Sequence, residues 1–354
     1  MINFFALSDA VARLLLAVLP NRISSRIQTN TSPLSVLVLR RNVIESTNEP
    51  RMTLFEGVFA TILFDMALFG TSNPIINGII ALFTTIQNSW DVPFKNKEQA
   101  AEKVGEFCNR LGIQQTPWIW EKSAEEYTSL NDFFSRTYST EHFPKIQSGR
   151  LVSPACCKIL SYPNDDSMKN ILIKGCDYKL DKIGLFPEED LEKYSTNRVW
   201  LGYLSPKDYH RVHSPIKGKC IHCKLEGADH RSASVKFFGG QFNILNDNKR
   251  LVVILEEEEQ SSNGNSNGKS IIPVEEPLRV ALVIVGGVGV DTITFNSEMV
   301  GETLDKGQEI STFRAGGSAF AMFSSKPLDV IDSIRMAEER GLQVEALVGE
   351  TLAN

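Results

Sequence analysis

Residues 278–295 read LRVALVIVGGVGVDTITF, and this stretch is the first indication of the fold class. Valine and isoleucine make up much of it, and glycines interrupt it near its centre. β-Branched residues favour strands, whereas glycine marks turns and close backbone approaches. The glycines resemble a dinucleotide-binding loop only superficially, because the third glycine and a following helix are both missing. The stretch therefore predicts strand structure and not a nucleotide site.

Strand-like segments of the same kind recur from about residue 150 to the C-terminal part of the chain. They are separated by turn residues, which is typical of an antiparallel β domain. The further segments are RLVSPACCKILSY, NILIKG, RVWLGYL, RLVVILEE and SAFAMFSS.

Residues 1–145 have a different pattern. Apolar residues recur there at spacings of three and four, for example over 58–66 and 79–86, which indicates helices. We therefore predict an α+β protein, with an N-terminal helical region over 1–145 and a mainly antiparallel β domain over 146–354. The polar run within 256–272 has no apolar anchor and is expected to be a mobile loop.

The composition excludes several classes of protein. The chain has 354 residues, of which 42% are hydrophobic and 23% charged, and its formal net charge is -6, as in a soluble globular protein. Without a basic stripe we expect no nucleic-acid partner. Six cysteines in a chain of this length do not form a dense disulfide framework, so we expect a reducing, cytoplasmic location.

The apolar runs of the N-terminal region are too short to cross a membrane. The run at 54–69 contains two acidic residues, and 70–74 separates it from the run at 79–86. A membrane span needs about 20 apolar residues. We predict no transmembrane helix, while the amphipathic N-terminus leaves contact with a membrane surface open.

Cys220 and Cys223 form a CxxC pair, which is a pattern found in zinc and redox sites. A second CxxC pair is missing, and the surrounding sequence KGKCIHCKLEG alternates as a strand does. We therefore interpret these cysteines as strand residues and expect no metal.

The stretch RAGGSAFAMF at 314–323 places two glycines directly before Ser318 and a buried strand. Glycine has no Cβ, so the backbone at Gly316 and Gly317 can be approached closely or turn sharply. The pattern indicates either a tight turn before a core strand or a peptide bond that another group has to reach.

A polar cluster lies at 204–215, LSPKDYHRVHSP. Histidine can accept and give a proton near neutral pH, so His210 and His213 are candidate acid and base groups. On a helical turn they share a face, and on a strand they point in opposite directions. The alternative is a structural turn in which Asp208 caps a helix and both histidines lie at the surface.

These two stretches resemble the phosphatidylserine decarboxylase family, whose members carry a DYHRxHxP block and a C-terminal glycine-serine processing motif. Further blocks follow in the family's order, and together the blocks cover about residues 125–325. They are YTSLNDFFSR at 127–136, LVSPACCKI at 151–159 and IKGCDYKL at 173–180.

The resemblance implies self-cleavage. The Ser318 hydroxyl would attack the carbonyl of Gly317, and elimination and hydrolysis would then leave a pyruvoyl group at the start of a small chain, residues 318–354. That small chain would stay with the large one. The histidine matching His213 would help to activate Ser318, and the one matching His210 would protonate the carbanion left by decarboxylation, although the two roles could be exchanged or shared.

The substrate implied is a small amine-bearing carboxylic acid. The stretch FGTSNPIINGIIALFTTIQNSW at 69–90 is similar to soluble fungal members of the family, among them the tryptophan decarboxylase of psilocybin biosynthesis. This likeness favours a free amino acid, or a metabolite like one, in specialised metabolism. Phosphatidylserine is the alternative substrate, and a family member that never cleaves and serves another purpose is the alternative function.

The sequence departs from the family at two positions. Cys156 stands where the family has an aspartate that orients the histidine, and a neutral thiol cannot hold an imidazolium as a carboxylate does. Either Cys156 acts in an altered way, or Asp165 or Asp166 replaces the aspartate, or His213 works unaided. Ala319 stands where the family usually has a hydroxyl residue.

Overall fold

A computed structural model describes residues 89–162, 193–194, 197–227, 248–258, 276–286, 293–315 and 318–354. It also gives the backbone of the strands at 35–40, 43–48, 170–173 and 176–179. The periodic segments at 58–66 and 79–86, the residues Asp165 and Asp166, and the pair Gly316 and Gly317 lie outside the described residues.

Two of the helices in the described residues lie before most of the strands, and the third lies near the C-terminal end. The helices are α1 (Lys97–Leu111), α2 (Leu130–Phe134) and α3 (Asp332–Arg340), with short 3-10 turns at Ser89–Asp91 and Ala124–Glu126. Asn96 caps α1, because its side chain accepts a hydrogen bond from the Gln99 amide, and Gly112 ends the helix in a left-handed conformation.

Strand residues outnumber helix residues in the described part of the chain. The strands are β1 (Ser35–Arg40), β2 (Val43–Asn48), β3 (Leu151–Val152), β4 (Cys157–Tyr162), β5 (Asn170–Ile173), β6 (Cys176–Lys179), β7 (Val199–Leu204), β8 (Arg211–His213), β9 (Gly218–Glu226), β10 (Arg250–Glu257), β11 (Arg279–Gly286), β12 (Ile293–Phe295), β13 (Thr303–Leu304), β14 (Glu309–Phe313), β15 (Ser318–Ser324), β16 (Gln343–Ala346) and β17 (Thr351–Ala353).

Ten of these strands form one sheet in the order β13-β9-β10-β11-β15-β7-β4-β16-β1-β2. All neighbours in it are antiparallel except β1 and β16, which are parallel. A second sheet, β12-β14-β8, contributes to the same core as one face of the large sheet. The predicted α+β class with a mainly antiparallel β domain is confirmed.

Strand β15 lies near the middle of the large sheet, and every residue of it is buried. Phe320 packs into the main core, whereas Ala321 and Phe323 face a second cluster on the other side. Gly202 of β7 lies opposite Phe320, and a Cβ built there would lie 2.0 Å from the Phe320 ring. Glycine at this position therefore makes room for the ring, and β15 is held firmly from both sides.

The structure differs from the sequence prediction in two places. Residues 35–48 contain β1 and β2, although 1–145 was expected to be helical. The segment SVLVLR contains two valines, and β-branched residues of this kind favour strands that pair in a sheet.

The second difference concerns Glu256 and Glu257, which belong both to the strand-like segment RLVVILEE and to the predicted loop at 256–272. The structure places them at the end of β10, where Glu256 forms an ion pair with Arg279. Residues 259–272 lie outside the described residues.

No helix in the described part of the chain is both long enough and apolar enough to cross a membrane.

Candidate active site

Ser318 is the first residue of β15, between Leu204 of β7 and Gly286 of β11. Its side chain is fully buried, and its Oγ has no hydrogen-bond partner among the described residues. Burying a hydroxyl without a hydrogen-bond partner destabilises the folded state by roughly 1–3 kcal/mol. Such groups are therefore uncommon in proteins, and a functional role is one explanation for them. The sequence prediction of a reactive group at Ser318 therefore coincides with an unpartnered hydroxyl.

The loop after β7 carries the first histidine. The Ser205 amide donates a 2.7 Å hydrogen bond to the Asp208 carboxylate, and the Asp208 amide donates one of 2.8 Å to the Ser205 carbonyl. Asp208 thus closes a tight turn and does not cap a helix. The loop leads from Leu204, the neighbour of Ser318, to His210 in six residues. The Phe313 amide donates a 2.8 Å hydrogen bond to the His210 carbonyl. This bond joins the backbone of His210 to the end of β14, three residues before Gly316.

His210 is buried, with its ring centroid 3.8 Å from that of Phe134. Its Nδ1 lies 2.8 Å from the Asp208 carbonyl, which can only accept, so Nδ1 carries the proton. Burial, aided by the charge of Arg136, holds the pKa of His210 well below 6.5. The ring is therefore neutral at pH 7, and Nε2 is free of a proton.

His213 ends β8 and is also buried. Its Nδ1 donates to the Gly307 carbonyl at 2.8 Å, and its Nε2 lies 3.0 Å from the Tyr209 hydroxyl. Burial lowers the pKa of His213, while the Gly307 carbonyl opposes part of that change. Because Nδ1 carries the proton, Nε2 accepts a hydrogen bond from Tyr209. His213 is held in the tautomer that a base for a serine requires.

Cys156 lies beside Tyr138. Its Sγ is 3.7 Å from the Tyr138 hydroxyl and accepts a 3.5 Å hydrogen bond from the Val348 amide. Burial raises the pKa of the Cys156 thiol to about 11, so the sulfur is neutral at pH 7. Within the described residues Cys156 forms no hydrogen bond with His210 or His213. The orienting acceptor on His213 is instead the Gly307 carbonyl.

Arg136 was not predicted as a site residue. It is buried, and its guanidinium donates to the carbonyls of Lys207 and Asp208 at 2.7 and 2.8 Å. The Asp208 carbonyl therefore accepts from both Arg136 and His210. The only signal in the sequence was the place of Arg136 at the end of YTSLNDFFSR, and nothing in that stretch named its contacts.

Tyr209 and Gly307 were also missed as partners of His213. Tyr209 could have been suspected because it lies inside the DYHRVH block, but Gly307 is 94 residues from His213 in the chain. A backbone carbonyl carries no signal of its residue type, so no sequence pattern would have found it.

Cys220 and Cys223 both lie on β9, as predicted. In the described part of the chain no group of three or more histidine, cysteine or acidic residues could hold a metal ion. The strand interpretation of this pair is confirmed.

Comparisons with known proteins give consistent results. The family model described as phosphatidylserine decarboxylase matches residues 130–354. A phosphatidylserine decarboxylase proenzyme of Clostridium novyi is 28% identical over 259 residues, which cover 73% of this chain and 81% of that protein. A protein of the same name from Fusobacterium nucleatum is 27% identical over 285 residues, covering 78% and 87% respectively. One from Clostridium perfringens is 28% identical over 269 residues, covering 74% and 82%.

Proposed function

The chain belongs to the phosphatidylserine decarboxylase family, and from that membership we propose that it is a proenzyme which cuts itself between Gly317 and Ser318 and then decarboxylates phosphatidylserine. Members of this family are pyruvoyl-dependent carboxy-lyases, and their pyruvoyl group forms by autocatalytic cleavage at a serine. The predicted class of enzyme and kind of cofactor are thereby confirmed. The cleavage site, the roles of the residues and the substrate are our proposals.

The observation that carries the proposal is the state of the Ser318 hydroxyl. It is buried, it lacks a partner among the described residues, and it directly follows two glycines. In the proposed reaction Oγ attacks the Gly317 carbonyl and an ester replaces the peptide bond. Loss of the Ser318 α-proton then breaks the ester C–O bond and releases the Gly317 carboxylate, and hydrolysis with loss of ammonia leaves the pyruvoyl group. A hydroxyl held by other hydrogen bonds would first have to break them, so the unpartnered state favours attack.

His213 is the proposed base for that attack. The Gly307 carbonyl holds its proton on Nδ1, so Nε2 has the lone pair that can accept the Ser318 proton. Nε2 must first release the Tyr209 hydroxyl. The backbone carbonyl thus supplies the orientation that the family aspartate would give, and of the three routes considered for the loss of that aspartate it favours His213 acting without a carboxylate.

His210 is the proposed proton donor in the decarboxylation. When formed, the pyruvoyl group supplies a ketone that withdraws electrons from a bound amine-bearing acid as carbon dioxide leaves. His210 is neutral in the uncut chain, so Nε2 must gain a proton before it can give one. A substrate carboxylate beside it would raise its pKa and favour that proton. Exchange of the two histidine roles is the alternative, and separate measurements of cleavage and decarboxylation in His210→Gln and His213→Gln distinguish the two assignments.

The small chain would remain bound after cleavage. Its first strand, β15, is paired with β11 and β7 along its whole length and is buried on both faces. Pulling it out would expose Phe320 and Phe323 and break two rows of backbone hydrogen bonds. We propose a two-chain enzyme in a reducing, cytoplasmic compartment, which the free thiols of the described cysteines fit.

The names of the relatives favour phosphatidylserine as the substrate, because all three are phosphatidylserine decarboxylase proenzymes. A free amino acid is the second candidate, and it rests on the likeness of residues 69–90 to the soluble fungal branch. Of that stretch only residues 89 and 90 are described. An assay with both compounds is therefore needed to distinguish phosphatidylserine from a free amino acid as the substrate.

The test begins with the intact mass of the purified, denatured chain. We expect two chains, one ending at Gly317 and the other beginning at residue 318, and the smaller chain should carry a carbonyl that reacts with hydroxylamine. Ser318→Ala should give one uncut and inactive chain. A wild-type chain that stays whole would overturn the proposal. The cut enzyme is then assayed for carbon dioxide release from phosphatidylserine in detergent micelles and from free tryptophan, serine and other amino acids. Release from a free amino acid alone would replace the phospholipid by the second candidate.

A further inference from the structure

Three consecutive residues just before the glycine pair are each held by a side chain or backbone group from elsewhere. The Phe313 amide donates to the His210 carbonyl, and the Phe313 carbonyl accepts a 3.1 Å hydrogen bond from the Ser135 hydroxyl. Arg314 forms an ion pair with Asp91. The Ala315 amide donates a 3.0 Å hydrogen bond to Oδ1 of Asn131.

Asn131 joins these contacts into one unit. Its Oδ1 holds the Ala315 amide, and its Nδ2 donates a 2.9 Å hydrogen bond to the Asp91 carboxylate that also pairs with Arg314. The Asn131 side chain is buried, whereas Arg314 and Asp91 are 36% and 46% exposed. An exposed ion pair contributes little to stability. The Asn131 side chain is buried, so water does not readily take over its hydrogen bond to the Ala315 N–H. Asn131 is therefore the main holding group.

From these contacts we propose that Asn131, supported by Asp91, is a positioning residue for self-cleavage. The chain is fixed at Ala315 on one side and at Ser318 on the other, where β15 begins. Only two residues connect these fixed points. Holding both ends limits the positions of the Gly317 carbonyl relative to the Ser318 hydroxyl, and such restriction accelerates an attack within one chain.

The inference rests on the proposed self-cleavage, and it separates cleavage from decarboxylation. Once the peptide bond between Gly317 and Ser318 is cut, Ala315 lies near the end of the large chain and no longer positions a reacting bond. Loss of the Asn131 contact should therefore slow the cut without lowering the turnover of enzyme that has already been cut. A residue needed only for folding would affect both steps.

The test follows the uncut fraction with time after a pulse of cell-free synthesis. Asn131→Ala should slow cleavage by roughly tenfold or more, because the partly buried Ala315 N–H loses its acceptor and the end of the chain before Gly316 is no longer fixed. Asp91→Asn keeps an acceptor for Asn131 and should slow it by less than about fivefold. Asn131→Asp alone should be slow, because two carboxylates then face each other. The pair Asp91→Asn with Asn131→Asp restores one donor and one acceptor, and it should recover to within about threefold of wild type.

Asn197→Ala is the matched control. The Asn197 side chain likewise bonds a backbone group, although as a donor, to the Lys193 carbonyl at 2.6 Å. It lies just before Val199, at the end of β7 that is farther from Ser318. This variant should cut at the wild-type rate. Decarboxylation per cut chain and the thermal unfolding midpoint are measured for every variant.

A wild-type chain that never cuts overturns the proposed function and this inference with it. A wild type that cuts, together with an Asn131→Ala chain that cuts equally fast, overturns the inference alone. The inference is also wrong if Asn131→Ala lowers turnover per cut chain as much as it slows cleavage, or if the paired exchange recovers nothing.

Discussion

The hydroxyl of Tyr209 lies 3.0 Å from Nε2 of His213, and the two rings stack with centroids 5.6 Å apart. Burial raises the pKa of Tyr209 above its ordinary value of 10.0, so the hydroxyl keeps its proton and donates a hydrogen bond to Nε2 of His213. The nitrogen that we propose as the base for Ser318 is thus engaged in the uncut chain. Attack on Gly317 has to begin with an exchange of hydrogen-bond partners at this atom.

Tyr209→Phe should speed cleavage by up to about fivefold. It removes one hydrogen bond to a buried nitrogen, worth about 1 kcal/mol, and leaves the ring in place. The rate is measured from the uncut fraction after pulsed synthesis. Tyr138→Phe is the matched control, because the Tyr138 hydroxyl contacts Cys156 and not His213. A tenfold slower Tyr209→Phe chain would mean that the hydroxyl takes part in the proton transfer.

Cys156→Asp should leave cleavage unchanged or speed it. The Val348 amide and the Tyr138 hydroxyl that surround the thiol can both donate to a carboxylate, so the buried charge would have two partners. Cys156→Ala should cut within about threefold of wild type, because within the described residues the neutral thiol forms no hydrogen bond with either histidine. Intact mass at timed intervals measures both. Loss of cleavage in both variants would give Cys156 an active role.

Exchanging Arg136 should change the protonation of His210. The positive charge of Arg136 adds to burial in lowering the pKa of His210. Arg136→Met removes that charge, whereas Arg136→Lys keeps it, so the pKa of His210 should be higher in Arg136→Met. Both should lower the free energy of unfolding by about 1–3 kcal/mol, because the Lys207 and Asp208 carbonyls lose hydrogen bonds.

These protonation states are read by NMR titration of the histidine rings in the uncut Ser318→Ala background. His210→Gln in the same background identifies the His210 signal. An equal or lower pKa in Arg136→Met than in Arg136→Lys would contradict the proposed influence of Arg136.

Stability should fall as the pH drops below 6.5. The pKa values of His210 and His213 are both lowered from 6.5 by burial, so the unfolded chain binds protons there that the folded chain does not. The folded state is therefore favoured fully above pH 6.5 and loses about 1 kcal/mol per buried histidine between pH 6.5 and 5.5. The loss continues until the pH reaches the pKa of the folded chain.

Denaturant unfolding of the Ser318→Ala chain at several pH values measures this slope. His210→Gln should reduce it, because one of the two buried histidines is then missing. A slope that His210→Gln leaves unchanged would mean that His210 is not the group that titrates.

The β domain was predictable because its strands are short, rich in β-branched residues and separated by turn residues. Such a pattern is local, so it survives without knowledge of partners. The strand pair at 35–48 was not predicted, because the region over 1–145 was expected to be mostly helical. Strand β1 is stabilised by its pairing with β2 and with β16, about three hundred residues later in the chain, and periodicity within one segment cannot report such a partner.

The chemical groups of the candidate site could be named before the fold was known: a serine after two glycines and two histidines three residues apart from the residues themselves, and Cys156 at the place of an aspartate from the family resemblance. These are properties of residue type and spacing, which the chain carries before it folds. Tertiary structure alone decided what those groups contact. It placed the Gly307 carbonyl on His213, Arg136 under the loop of His210, and Asn131 beside Ala315. Each contact joins residues distant in the chain, and most of them involve backbone atoms that every residue shares, so only folding could select them.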